Sequence, residues 1–193
     1  MAGKALELDD ALKNFYEDLE NGGFFTTSSD HETLIAREKP FYDSATPSGN
    51  AVVALNLLRL YTYTTDHGFR KRAEKTFKAF YQRLTATPSA LSEMMLALDW
   101  YFDTPKEIVL ITPDSNGAET AASPFLDQFR ARFIPNRILV VVDDSQTAAL
   151  AGMIPLLAGK KTAGGAASAF VCENGTCMLP AKTPEDFAGQ LQQ

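Results

Sequence analysis

Cysteine, histidine and tryptophan are scarce in this chain: two, two and one among 193 residues. The pair Cys172-x4-Cys177 is backed only by His31 and His67, which is too little to build a four-ligand zinc site, so no metal is expected. Long apolar runs are absent too. Nothing approaches the roughly 20 residues that cross a bilayer, and the opening MAGKALELDD is polar rather than signal-like. No membrane partner and a cytoplasmic address are expected. Positive charge is short as well, with a net charge of −6. The densest basic cluster, Arg70-Lys71-Arg72 with Lys75 and Lys78, reads as the solvated face of a helix, which argues against a nucleic-acid partner. No phosphate-cradling glycine loop or nucleophile elbow is present, and no cofactor is expected. What remains, 45% hydrophobic and 22% charged, suits a globular chain with one or two cores.

The first half reads as helical. Leu6, Leu8, Leu12, Phe15, Tyr16 and Leu19 recur among charges, predicting an amphipathic helix over 4–20 that stops at Gly22-Gly23. Phe24 to Ser28 and Thr33 to Glu38 alternate around a polar turn, predicting a β-hairpin near 24–38. Residues 51–63 are apolar on nearly every side, as in a helix buried on more than one face. Phe69, Ala73, Phe77, Phe80 and Leu84 mark a second helix with a basic outer face. A third is expected to begin at Thr87-Pro88 and to bury Leu91, Met94, Met95, Leu98 and either Trp100 or Tyr101.

After Thr104-Pro105 the pattern changes. Ile108 to Ile111 and Ile138 to Val142 are strand-length aliphatic runs around one helix-sized segment, a βαβ unit. Ser123-Pro124 reads as the start of that helix, and Leu126, Phe129 and Phe133 as its buried face. Asn174-Gly175 predicts a two-residue hairpin turn that sets Cys172 opposite Cys177 on a non-hydrogen-bonded pair. Thr183-Pro184-Glu185-Asp186 reads as a capped helix start, with Phe187 and Leu191 docking the helix.

The run GGFFTTSSDHETLIAREKPFYDSATPSGNAVVALNLLRL, residues 22–60, resembles the helical domain of the YyaL-like proteins, the thioredoxin-domain-containing family that includes spermatogenesis-associated homologues. EIVLITPD from Glu107, FIPNRILVVV from Phe133 and AFVCENGTCMLPAKTPEDF from Ala169 are similar to the segments closing that family's C-terminus. The resemblance implies an α+β chain: an incomplete (α/α) toroid over 1–103, then a small α/β subdomain over 104–193 with a C-terminal β-hairpin. It further implies a C-terminal portion, without the family's thioredoxin-like domain and first helical hairpins. Apolar faces left by the missing hairpins predict self-association, or contact with the rest of the toroid.

In related toroids, the N-acylglucosamine 2-epimerases and six-hairpin glycosidases, sugars bind at the mouth that this stretch would form. The candidate ligand set is therefore Phe24, Phe25, Asp30, Arg37, Lys39, Asp43, Ser48 and Asn50. Carboxylates supply acid and base, cations and amides hold hydroxyls, and aromatics stack on a pyranose face. The alternative is structural, with Asp43 and Asn50 capping turns and a helix start, Arg37 pairing locally and the phenylalanines in the core. Function divides the same way, into a carbohydrate-binding or carbohydrate-processing toroid and a non-catalytic scaffold or interaction module for a thioredoxin-like domain. No catalysis is expected of the chain alone.

Two weaker constellations remain. Asp143-Asp144 and the loop Asp114-Ser115-Asn116-Gly117 follow strands, where ligands bind in open α/β sheets, but these residues are also ordinary turn formers. For Cys172 and Cys177, reduced and partly buried packing is favoured in a reducing cytosol, with a redox pair as the alternative.

Overall fold

A computed structural model describes residues 2–32, 35–113 and 118–192. It is α+β, with eight α-helices and a four-stranded mixed sheet among the described residues. The chain divides into two compact units, Met1–Tyr61 with Asp66–Phe102, and Thr62–Thr65 with Asp103–Gln193.

The first unit is built from five helices: α1 (Ala2–Phe15), α2 (Gly49–Thr64), α3 (His67–Ala79), α4 (Tyr81–Ala86) and α5 (Ser92–Phe102). Helix α2 starts where Ser48 Oγ accepts from Ala51 N–H at 3.2 Å, and it buries Ala51, Ala54, Leu55, Leu57 and Leu58. Helix α3 starts at Asp66, whose carboxylate accepts from Gly68 N–H at 2.7 Å. Arg72 ties α3 to α1 and the chain after it, donating to Asp9 at 2.5 Å and Glu17 at 2.8 Å.

Three local expectations are corrected. The helix foreseen from Phe69 to Leu84 breaks at Phe80, yet Ala73, Phe77, Phe80 and Leu84 all stay buried. The break seats the Phe80 ring beside Gly23 and 6.4 Å from the Phe41 ring. Thr87 does not cap the next helix. Its hydroxyl donates back to the Arg83 carbonyl at 3.4 Å, and Pro88–Leu91 forms a 3₁₀ turn instead. Leu91, Met94, Ala97 and Trp100, three residues apart, then face inward, and Met95 is exposed rather than buried.

The third correction concerns the hairpin near 24–38, which does not form among the described residues; Thr33 and Leu34 lie outside them. The backbone of this stretch is satisfied by other partners. Phe25 N–H donates to the Tyr16 carbonyl at 2.9 Å and Thr26 N–H to the Glu38 carbonyl at 2.9 Å, while Phe24 bonds to a side chain described below. Phe24 makes a single bridge, to Glu17.

In the second unit, β1 (Lys106–Thr112), α6 (Ala118–Arg130) and β2 (Arg137–Asp143) form the expected βαβ unit, with β1 and β2 parallel. Helix α7 (Asp144–Leu150) follows, then β3 (Ser168–Glu173), β4 (Thr176–Cys177) and α8 (Pro184–Gln190). The sheet order is β2-β1-β3-β4, with β3 antiparallel to both neighbours. One face of the sheet, Ile108, Leu110, Ala169 and Val171, is covered by Phe125 of α6, Phe187 of α8 and Leu191. The rings of Phe125 and Phe187 lie 5.9 Å apart. Thr183 caps α8 as its motif predicts, accepting from Asp186 N–H at 3.1 Å.

Two details of the βαβ helix differ from expectation. It starts before Ser123-Pro124 and carries Pro124 inside it. Ala122, Phe125, Leu126 and Phe129 keep one apolar stripe across the proline, and that burial offsets one lost backbone bond. Phe133 lies beyond the helix end and is 91% exposed, while Ile134 takes the core position.

Candidate functional site

The eight candidate residues divide into three groups. Asn50, 1% exposed at the start of α2, spends its amide on the backbone. Its Oδ1 accepts from Phe24 N–H at 2.6 Å, and its Nδ2 donates to the carbonyls of Phe24 at 2.9 Å and Pro40 at 2.8 Å. Asp43 is equally committed, with one oxygen accepting from Ser48 N–H at 2.9 Å and the other from Glu93 N–H at 2.8 Å, in the first turn of α5. Ser48 is the α2 cap already described, and Phe24 is core.

The second group surrounds Phe25. The guanidinium of Arg37 lies 4.1 Å from the ring centroid and the ammonium of Lys39 lies 4.8 Å from it. Arg37 also donates to the carbonyls of Phe15 at 3.0 Å and Thr27 at 2.5 Å. Lys39 donates to Asp18 at 2.5 Å and to the Gly22 carbonyl at 2.8 Å. Asp18 is the residue that pattern reading missed, and its only signal was its place before Asn21-Gly22-Gly23. Burial pushes its carboxyl up, but the Asn21 N–H and the Lys39 ammonium outweigh that and hold it well below the usual carboxylate range. Asp30, alone in the third group, is exposed and accepts from the Ser28 hydroxyl.

Most of these residues lie outside the concavity described on this stretch. The concavity on this stretch, about 610 Å3, is lined by Glu38, Lys39, Pro40, Phe41, Tyr42, Ser44, Thr46, Pro47, Ser48 and Gly49. Only Lys39 and Ser48 of the candidate set belong to that wall. Acid–base hydrolysis of a glycoside requires two carboxyl groups facing one bond. Here both oxygens of Asp43 hold backbone N–H groups, Asp30 is absent from the lining, and Glu38 is the carboxylate in the wall.

The relatives of this chain carry a name. It is 33% identical over 181 residues to human spermatogenesis-associated protein 20, covering 93% of this chain and 23% of that protein. The rat protein of the same name is 32% identical over 190 residues, covering 98% and 24%. The chain belongs to the spermatogenesis-associated protein 20 family. It spans about a quarter of the length of these curated members. An uncharacterized protein of Caenorhabditis elegans is 24% identical over 168 residues. No protein-family model matches the chain.

Elsewhere in this member of the spermatogenesis-associated protein 20 family, Asp143 accepts from the Thr112 hydroxyl at 2.8 Å and Asp144 from the Thr162 hydroxyl at 2.6 Å. The loop 114–117 lies outside the described residues. Among the described residues no three His, Cys, Asp or Glu side chains group as metal ligands, and no helix is long and apolar enough to cross a membrane. Cys172 and Cys177 are joined by a disulfide rather than free. The hairpin register brings them within reach, with their Cα atoms 3.9 Å apart.

Proposed function

We propose that this region is a non-catalytic structural and interaction module of a longer, thioredoxin-domain-containing protein, contributing the last helices of an (α/α) toroid and a closing α/β subdomain. The observation that carries this reading is the commitment of Asn50, Asp43, Arg37 and Lys39 to this chain's own backbone and to Asp18. Groups spent in this way organise a connection rather than face a substrate. The exposure of Leu19 in the first unit, together with Val52, Met95, Leu96 and Phe102 on its helices, supports contact with further helices of the longer protein or with a second copy. The test is to mix this chain with the separately produced remainder of a family member and follow the mixture by light scattering. A stoichiometric complex, weakened by Leu96→Asp, is expected. Monodisperse monomers that ignore the remainder would overturn the reading.

A carbohydrate-binding reading keeps one specific support, the concavity with Phe41, the exposed Tyr42, Glu38, Ser44 and Thr46 in its wall. Aromatic faces beside hydroxyls and a carboxylate suit a sugar. A saturable rise in melting temperature with one monosaccharide of a panel, lost in Tyr42→Ala, would favour this reading over the structural one. No rise with any sugar would leave the structural one in place.

A further inference from the structure

The disulfide hairpin of the second unit carries features that a purely structural bridge does not need. Asn174 and Gly175, with φ of 51° and 73°, form the tight turn between β3 and β4. The ladder already closes this turn: Met178 N–H donates to the Val171 carbonyl at 3.0 Å, and Ala169 and Ala181 exchange bonds of 2.9 and 2.8 Å. A cross-link adds stability mainly by closing a loop, and this one joins residues only five apart that the ladder holds together anyway. The two sulfurs are also unequal. Cys172 is 1% exposed, whereas Cys177 lies on the exposed strand β4.

The third feature is Glu107. It lies directly opposite Cys172 across the β1–β3 pair, so both side chains rise from the same face of the sheet. The Gly175 backbone of the turn and the Lys160 ammonium both favour its charged form, and that ammonium lies 5.7 Å from the Phe170 ring on the same face. Lys106 and Glu173, one position along each strand and so on the other face, are paired with each other at 2.6 Å. Burial pushes the Glu107 carboxyl up against the opposing pull of Gly175 and Lys160, and burial pushes the Lys160 ammonium down. A half-buried acid beside a buried sulfur is placed to meet a leaving thiolate.

We propose that Cys172–Cys177 is a redox-active disulfide that exchanges with a dithiol, with Cys177 as the sulfur attacked, Cys172 as the leaving sulfur and Glu107 as the positioned proton donor. The thiolate of the incoming dithiol attacks Cys177 Sγ. The intramolecular S–S bond breaks, and Cys172 Sγ leaves with its electron pair and takes the proton of the Glu107 carboxyl. The second thiol of the reductant then attacks its own sulfur in the mixed disulfide, and Cys177 leaves and is protonated from solvent. The dithiol ends as a disulfide, the hairpin gains two electrons and two protons, and the protons lost by the dithiol restore Glu107 through solvent.

The test uses the whole chain under native conditions with dithiothreitol as the dithiol. Intact mass is expected to show the gain of two hydrogens while the circular dichroism of the folded chain persists. With oxidised glutathione as probe, Cys172→Ser should form a mixed disulfide at Cys177 about tenfold or more faster than Cys177→Ser forms one at Cys172. The rate of native reduction should show an acid-limb inflection that is absent in Glu107→Gln. Reduction seen only after denaturation, or equal labelling of the two single-cysteine variants, would overturn the proposal. A Glu107→Gln profile superimposable on wild type would remove Glu107 from it.

Discussion

Asn50 binds both backbone polar groups of Phe24, twenty-six positions earlier, as a neighbouring strand would. One side chain thereby replaces the missing hairpin ladder, and its third bond takes up the Pro40 carbonyl. Asn50→Ala leaves the buried Phe24 N–H and carbonyl and the partly buried Pro40 carbonyl without that partner, and a loss of about 3 kcal/mol in urea unfolding is expected. Asn50→Asp should fare no better, because its second oxygen would face the carbonyls of Phe24 and Pro40. A loss under about 1 kcal/mol in both variants would contradict this role.

Gly22 supports the same connection by its lack of a side chain. Its φ is +76°, and a Cβ there would lie 2.5 Å from the Lys75 carbonyl oxygen of α3. Gly22→Ala should therefore cost more than the roughly 1 kcal/mol usual for a left-handed glycine. The comparison is Gly175→Ala, where φ is +73° and the added Cβ would meet open space. Thermal melts should rank Gly22→Ala as the more damaging of the two.

The Asp18–Lys39 pair makes acid stability predictable in sign. The carboxyl of Asp18 is held below its ordinary value of 3.8 in the folded chain, so the unfolded chain takes the proton first as pH falls. The stabilisation is complete above that value and is lost progressively at lower pH. Lys39→Met, which takes the cation from the Asp18 carboxylate but leaves its bonds from Glu20 and Asn21, should cost about 1 kcal/mol at neutral pH. It should also flatten the acid limb of the stability curve. An unchanged acid limb would mean that other carboxylates dominate.

For Glu107 the sign is opposite. Its carboxyl is raised above 4.5 by burial, so as pH rises the unfolded chain releases its proton first. Stability linked to this group is complete below that value and is lost as pH climbs through the folded-state value. Glu107→Gln should remove that decline, so the melting temperatures of variant and wild type should move apart as pH rises from 4.5 toward neutrality. Parallel curves would count against the assignment.

Local chemistry made much of the second unit legible. Thr183-Pro184 announced a cap, Asn174-Gly175 a turn, and the aliphatic runs from Ile108 and Ile138 a parallel pair, because each depends on neighbours in sequence. The first unit was less legible where long-range partners decide. Nothing near Phe24 indicates that an amide at position 50 will satisfy its backbone, and nothing near Phe80 indicates that a helix must break there. Met95 is exposed because the inward line of α5 runs through Met94, Ala97 and Trp100, a choice of face that the apolar spacing alone does not single out. In the candidate site, residue types alone could not separate Asp43 the acid from Asp43 the cap. The partners that separate them, Ser48 and Glu93, lie five and fifty positions away. Glu107 left a weak signal as a charge at the head of an otherwise aliphatic strand.

Strand β1 is flanked by neighbours that reach it at different stages of synthesis. Ile108 pairs with Leu139 on one side and with Val171 on the other. A nascent chain can join β1 to β2 long before β3 emerges from the ribosome, and until then one edge of β1 presents unpaired N–H and C=O groups beside Ile108 and Leu110. A chain cut between α7 and β3 would hold that edge open permanently and lose Phe187 and Leu191 from the core. Premature termination in this interval should therefore yield aggregates and proteolytic clearance rather than a shortened, folded protein.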